Sequence, residues 1–467
     1  MSFLAYDIGF LVLFVLVLAI LFYVKRKNFK WEGILLLYRT NIGVKFIDKF
    51  AKKYKSMISW MRYIIVSMGF LLMIAMTYFL MQLLYIFIKY PATVRAIKVP
   101  PLTPLIPYLP SIFKLDFLPP FYFTYWIIAI ASIAIFHEAA HGILARYSNV
   151  KVKSTGFGFL GPFLAAFVEP DEKQMEKKDN FSQMAILSAG TFANILLTVI
   201  FFLMLIIFFI LTFSQAGATF SDYSYSIVNT SSITLINNNH LIGNFSQFLD
   251  LNSSITNITV NNKTYFASTA ALSGANNSSL IKVYDNAPAF NAQLRGIIVK
   301  INNDKITNYT DLEIFKKYKP GDSILIETSN ATSIRIYNIT LAQNPSNNSQ
   351  PYLGIVLEVR QSRGVLGKLV NSISSFKQQG VYYSPRFDGE LIIFIYNLLW
   401  WLVIINLSVA LINMLPLGIF DGGKFFYLTM FSITKSKKFA QITFKLITYI
   451  NILIFILLMV FWAFSFI

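Results

Sequence analysis

Six apolar runs, each long enough to cross a bilayer, decide what this chain can fold into. They are Ile8 to Val24, Tyr63 to Ile88, Phe121 to Tyr147, Ala185 to Phe213, Leu391 to Ile412 and Leu446 to Ile467. In hydrocarbon every backbone N–H and C=O must find its partner inside the protein, so runs of this kind are helices. The expected fold class is a polytopic α-helical membrane protein with about six transmembrane helices and an inserted β-rich soluble domain. The composition agrees, with 55% hydrophobic and 13% charged residues. A formal net charge of +18 raises nucleic acid as a partner. The basic residues sit beside the apolar runs, as membrane flanks do, so no nucleic acid is expected. The absence of cysteine excludes disulfides and thiolate metal sites.

Charge sets the expected topology. Asp7 is the only charged side chain ahead of the first run, and Lys25-Arg26-Lys27 follow it. That order suits a retained helix with its N-terminus outside, not a cleaved signal peptide. From Lys25 to Arg62 there are eleven Lys and Arg against Glu32 and Asp48, which makes this segment a cytoplasmic loop. Residues 1–90 are then two helices joined by that loop. Residues 91–120 hold eight of the sixteen prolines and read as an irregular extracytoplasmic segment. The catalytic membrane core is expected over 121–213 and 391–424. A C-terminal loop carrying Lys435, Lys437 and Lys438, followed by a helix, makes up 425–467. The Gly-rich stretch Thr155-Gly156-Phe157-Gly158-Phe159-Leu160-Gly161 reads as an apolar hairpin between two membrane helices.

Residues 214–390 are different material: rich in Asn, Ser and Thr, without a spanning run. Eleven Asn-x-Ser/Thr sequons fall here, against Asn180 and Asn406 elsewhere. Sequon density suits an extracytoplasmic, glycosylated domain; an Asn-rich composition alone also produces sequons. Topology counting independently puts the domain outside.

The chemistry is concentrated in His137-Glu138-Ala139-Ala140-His141. Positions i and i+4 share a helix face, so the two imidazoles can hold one metal ion, and Glu138 is placed to take a proton from a water at that ion. The first histidine lies sixteen residues after Phe121, about 24 Å along a helix. Arg146 follows closely, so the metal is expected toward the cytoplasmic face. A zinc hydrolase needs a third protein ligand and one open position. Asp421 is the only acidic residue after Glu390 and lies at a matching depth, in Asn413-Met414-Leu415-Pro416-Leu417-Gly418-Ile419-Phe420-Asp421-Gly422-Gly423. Pro416 and Gly418 are expected to break the helix there. The bland readings are a polar helix end for the first motif and a helix C-terminal turn for the second.

Taken together, His137-Glu138-x-x-His141, Gly190-x-x-x-Asn194 and Asn413-x-x-Pro416-x-x-x-x-Asp421-Gly422 resemble the site-2 proteases, a family of intramembrane zinc metalloproteases. Gly418 and Phe420 depart from the Pro and Leu more usual in the third motif. The resemblance implies that His137, His141 and Asp421 bind Zn2+, that Glu138 is the catalytic base, and that Asn194 and Asn413 help hold an unwound substrate strand. It also implies single-span membrane protein substrates and a role in regulated intramembrane proteolysis. Within the outer region, Ala287-Pro288-Ala289-Phe290-x-x-x-Leu294 and the alternating Ile297, Val299 and Ile301 resemble a PDZ domain over about 280–360, which implies an extended peptide as a second partner. Residues 214–279 do not fit that domain and are an insertion or a separate one. Two other readings stay open. One is a membrane zincin of the prenyl-protein protease type, with Glu169, Glu172 or Glu176 as third ligand. The other is a catalytically inactive PDZ-like scaffold.

Overall fold

The computed structural model describes residues 3–33, 35–91, 105–113, 115, 118–160, 163–237, 239–240, 255–274, 279–330, 333–357, 375–387 and 389–464. The chain divides into two compact units, one formed by Met1–Phe208 with Ile393–Ile467 and the other by Phe209–Ile392.

Six helices of the described residues are long and apolar enough to cross a membrane. They are α1 (Phe3–Lys25), α3 (Lys55–Lys89), α4 (Phe123–Tyr147), α6 (Asn180–Thr212), α7 (Gly389–Asn413) and α9 (Lys437–Ala463). The expected runs are all present, but α3, α6 and α9 start earlier than the apolar residues do. Lysines and polar residues at a membrane surface extend a helix without breaking its ladder. Shorter helices among the described residues include α2 (Val44–Lys53), α5 (Glu172–Glu176) and α8 (Asp421–Thr434). The core that centres the first unit joins Ile65, Leu72, Leu144, Ala189, Met414 and Phe425, from α3, α4, α6, α8 and the turn that ends α7.

The loop expected over Lys25 to Arg62 is structured. It contains β1 (Phe29–Glu32) and β2 (Leu35–Thr40). The expected hairpin forms as β3 (Val152–Leu160) and β4 (Phe163–Pro170), paired from Val152 with Pro170 to Leu160 with Phe163. β2 adds to β3, Leu36 opposite Phe159 and Thr40 opposite Thr155, giving one antiparallel sheet in the order β1-β2-β3-β4. Such a sheet satisfies its backbone by pairing, which is what non-helical chain at a membrane requires. Glu169 on β4 accepts from the Ser154 hydroxyl at 2.7 Å and from Arg39 on β2 at 3.2 Å. Ser154 first, then Arg39, hold its carboxyl below the usual carboxylate range.

The helix bearing the histidines is capped from another helix. Asp7 is the one buried side chain of α1. Its carboxylate accepts from Phe123 N at 2.8 Å, Thr124 N at 2.9 Å and the Tyr108 hydroxyl at 2.6 Å. The first two are free donors at the N-terminus of α4, where a negative charge is also favoured by the helix dipole. Burial, and then the neighbouring Asp7, push the Tyr108 hydroxyl pKa up, so it stays a donor.

The second unit is all antiparallel. One sheet runs β14-β13-β12-β5-β15, from β5 (Phe213–Ala218), β12 (Ile297–Ile301), β13 (Ser323–Asn330), β14 (Ser333–Thr340) and β15 (Val381–Pro385), with the short strand Asp304–Lys305 paired to β12. A 3-10 helix, Tyr309–Lys317, packs Leu312 and Ile314 onto its core with Ile298, Ile301 and Ile326. A second sheet, β6-β11-β10-β9-β7-β8, takes most of its strands from the 214–279 stretch, β6 (Tyr225–Asn229), β7 (Ile233–Ile236), β8 (Asn239–His240), β9 (Ile255–Val260) and β10 (Lys263–Ser268), and one, β11 (Leu280–Asp285), from the range expected to resemble a PDZ domain, while β5 goes to the first sheet. It has its own core of Ile236, Ile258, Leu272 and Val283. Most of the Pro-rich stretch lies outside the described residues, as does the side chain of His240.

Removing the Asp7 carboxylate strands four donors, since the Thr124 hydroxyl bonds it too. The variant Asp7→Ala should lose about 3 kcal/mol of stability in reversible unfolding of the detergent-solubilised chain. A loss under about 0.5 kcal/mol would show that this cap does not hold α4.

Candidate metal centre and active site

Three helices converge on one point. His137 and His141 project from adjacent turns of α4, with His137 buried and His141 half-buried. α7 ends at Asn413, as Pro416 and Gly418 lead one to expect, and the chain turns and restarts as α8 with Asp421 at its first position. The turn folds tightly on the new helix. A Cβ on Gly422 would lie 2.3 Å from the Met414 carbonyl carbon, and one on Gly423 2.3 Å from Leu417 O. Two glycines after Asp421 are what let the carboxylate come back to the level of the imidazoles.

The Nε2 atoms of His137 and His141 lie 3.1 Å apart. Asp421 Oδ2 is 3.3 Å from Nε2 of His141 and 3.7 Å from Nε2 of His137. A tetrahedral ion with bonds of about 2.05 Å has ligand–ligand edges of roughly 3.3 Å. The donor set therefore fits a small divalent ion, with three protein ligands and a fourth position left open. Among the described residues this is the one cluster of three such groups within metal-binding distance.

α6 forms the back wall, through residues one turn apart. Ile186 O accepts from Nδ1 of His141 at 2.7 Å. A carbonyl only accepts, so Nδ1 carries the hydrogen and Nε2 of the neutral ring keeps its lone pair for a metal. One turn on, Gly190 faces both rings: a Cβ there would sit 2.4 Å from Nε2 of His141 and 2.5 Å from Nε2 of His137. A further turn on, Nδ2 of the fully buried Asn194 amide lies 3.0 Å from Nδ1 of His137, while its Oδ1 has no partner. Asn194 thus stands behind the ligand ring. Asn413 stands on the open side, Nδ2 3.5 Å from Nε2 of His137.

Glu138 points to the edge of the sheet, where its Oε2 accepts from Val168 N at 3.0 Å. Two cavities meet at His137 and Glu138. One, of about 250 Å³, is apolar and runs between α4 and α7 past Trp126, Ile133, Ile405 and Val409. The other, of about 330 Å³, is polar and is lined by Asp421, Glu172, Lys424 and Phe420. Of the three acids of the prenyl-protease reading, Glu169 is paired with Arg39 and Glu172 with Lys424 at 3.3 Å, and the metal-spaced group of the described residues contains neither of them nor Glu176.

Reading the sequence placed His137, His141, Glu138 and Asp421 as candidates, and the fold brings all four together. It missed the Ile186 carbonyl and the edge of β4, since a backbone group carries no residue-type signal.

A bundle of apolar helices enclosing two histidines, a glutamate and a carboxylate from another helix defines a class, the membrane metallopeptidases. The model describing peptidase family M50 matches residues 125–458, and the chain belongs to that family, the site-2 protease family. A comparison with curated proteins gives no match.

The wall offered by α6 yields a test. Gly190→Ala puts a methyl group where the ligand nitrogens converge, so bound metal measured by elemental analysis should fall to a tenth or less, roughly, while the helical circular dichroism persists. Full metal content in that variant would refute the packing described.

Proposed function

We propose that the chain is an intramembrane zinc metalloprotease that hydrolyses peptide bonds within membrane-spanning protein substrates, in regulated intramembrane proteolysis. The observation that carries this is the meeting of His137, His141 and Asp421 at metal-ligand spacing beside Glu138, inside an apolar helix bundle. Zn2+ held by these three residues would supply a Lewis acid for the scissile carbonyl and lower the pKa of water at the open position. Glu138 then serves as the base that removes a proton from that water and delivers it to the leaving nitrogen.

A transmembrane helix hides its carbonyls in hydrogen bonds, so a substrate must be opened into extended form before attack. β4 is the last strand of its sheet. Val168 N points outward, toward Glu138, so by the alternation of an antiparallel strand Ala166 N–H and C=O and Val168 C=O point outward as well. That edge can take one more strand, holding the peptide alongside the catalytic carboxylate. The apolar cavity between α4 and α7 suits the still-helical part of the substrate, and the polar cavity suits the supply of water. Asn413, on the open side, is placed to bind a carbonyl of the opened strand.

Asn194 takes a different role from the substrate contact expected of it. With the amide flipped, so that Oδ1 takes the place of Nδ2 beside His137, it would accept the Nδ1 hydrogen and leave Nε2 free for zinc, as Ile186 O does for His141. Asn194→Leu should weaken zinc binding by about 10–100-fold, measured by chelator competition, and Asn194→Asp, which keeps the acceptor, should restore it. Unchanged affinity in the leucine variant, with only KM raised, would return Asn194 to the substrate.

Basic residues gather at one set of helix ends, Lys25 of α1, Lys55 of α3, Arg146 of α4 and Lys437 of α9. They support an active site toward the cytoplasm, a cell-membrane location and an extracytoplasmic second unit. The strand and 3-10 helix arrangement around Ile297–Ile301 supports the PDZ-like reading, with an extended peptide as partner. The decisive experiment is co-expression with tagged single-span proteins. Glu138→Gln should keep stoichiometric zinc and lose cleavage by about a thousandfold or more. Cleavage retained in that variant would overturn the protease reading, and a wild type without zinc would favour a scaffold.

A further inference from the structure

α2 has three faces. Ile47 and Ala51 are buried, and Ile47 belongs to the core shared with α4. Lys45, Lys49, Lys52 and Lys53 fall within about 100° of one another on the helical wheel, and all four are exposed. No carboxylate of the described residues pairs with them. Asp48, on the same helix, is engaged with Arg146 of α4, and Glu32 with Arg39. Between these faces lies Phe46, 60% exposed although apolar, next to Ile42 at 78%.

Those two residues form the rim of a cavity of about 500 Å³ that runs along α4 past Ile127, Ala131 and Ile135 and is closed on the other side by Phe167 of β4. Its walls are apolar. From Ile127 to Ile135 it follows roughly 12 Å of helix. Glu138 also lines it, with Ala166 and Val168 of β4, so an acyl chain there would border the edge proposed for the substrate strand. The cavity takes no part in holding the metal. Its level is set by the chain: α2 connects, through β1 and β2, the lysine end of α1 to the lysine start of α3, so it lies at a membrane surface. Trp31 and Trp60, exposed near it, are residues that favour that level.

We propose that this face and this slot together bind one anionic phospholipid, with its phosphate on the α2 lysines and an acyl chain in the slot against α4. Lysines without a carboxylate partner, beside an apolar groove at headgroup depth, match the net negative headgroup and the acyl chain of such a lipid better than a zwitterionic one, whose own cation offsets its phosphate. The ion pair of Asp48 with Arg146 and the buried Ile47 fasten α2 to the turn of α4 that follows His141.

The test uses the full chain, delipidated in detergent, with phosphatidylglycerol and phosphatidylcholine of identical acyl chains, read by native mass spectrometry. Wild type should retain phosphatidylglycerol at least about tenfold more tightly. The quadruple change Lys45→Gln, Lys49→Gln, Lys52→Gln and Lys53→Gln, which leaves Ile47 and Ala51 in place, should bring the ratio to within about twofold. Ala131→Trp, filling the slot, should weaken retention of both lipids. Equal retention of the two lipids by wild type, or a preference that survives the lysine changes, overturns the headgroup assignment. Undiminished retention by Ala131→Trp overturns the slot. A single-span substrate peptide crosslinking in the slot without any displacement by phosphatidylglycerol also overturns it. None of these readouts depends on zinc or on proteolysis.

Discussion

A carboxylate set among apolar helices needs a counter-charge, and Asp421 has no cation of its own. The lysine one turn further along α8, Lys424, is paired with Glu172. The groups that do face Asp421 are two imidazoles, one of which gives its ring hydrogen to the Ile186 carbonyl and so offers a lone pair. An anion meeting a lone pair is unfavourable in low dielectric unless a cation lies between them. A cation bound at this point would therefore couple metal affinity to fold stability, because its ligands join α8 to α4.

α6 makes this possible because it presents three different things at one-turn intervals on one face. A backbone carbonyl comes first, then an absent side chain, then a buried amide. Any side chain at Gly190 would push α6 away from the histidines and uncouple the other two. The small-residue spacing that lets membrane helices approach closely here brings the Ile186 carbonyl to the ring that it fixes, His141, as well as setting the distance between helices.

How much of this could be read from residues follows from the range of the interactions. The spanning helices are local features, driven by burial of unbroken apolar runs, and were visible, although α3 starts at Lys55 and not at Tyr63 because a helix need not stop where hydrophobicity does. The metal ligands were visible because imidazoles and carboxylates are rare in such runs. The sheet was only half visible. The β3–β4 hairpin is local, but β2 joins β3 across more than a hundred residues, and its three leucines, Leu35 to Leu37, are too short a run to distinguish a strand from a helix end. The second sheet of the outer unit was hidden for a related reason: its core of Ile236, Ile258 and Val283 is spread through Asn-rich sequence with long separations.

The position of β4 ties these parts to one another. Its inner edge completes a sheet anchored by Glu169, Ser154 and Arg39, so the strand is stiff. Its outer edge holds Glu138 through Val168 N, so that carboxylate is aimed by backbone and not by a flexible neighbour. Its face closes the slot against α4. On the proposed function, an extended peptide added at the outer edge would compete with Glu138 for Val168 N, and so would free the carboxylate on engagement. A base held by backbone until a peptide displaces it would guard the surrounding membrane proteins from casual cleavage.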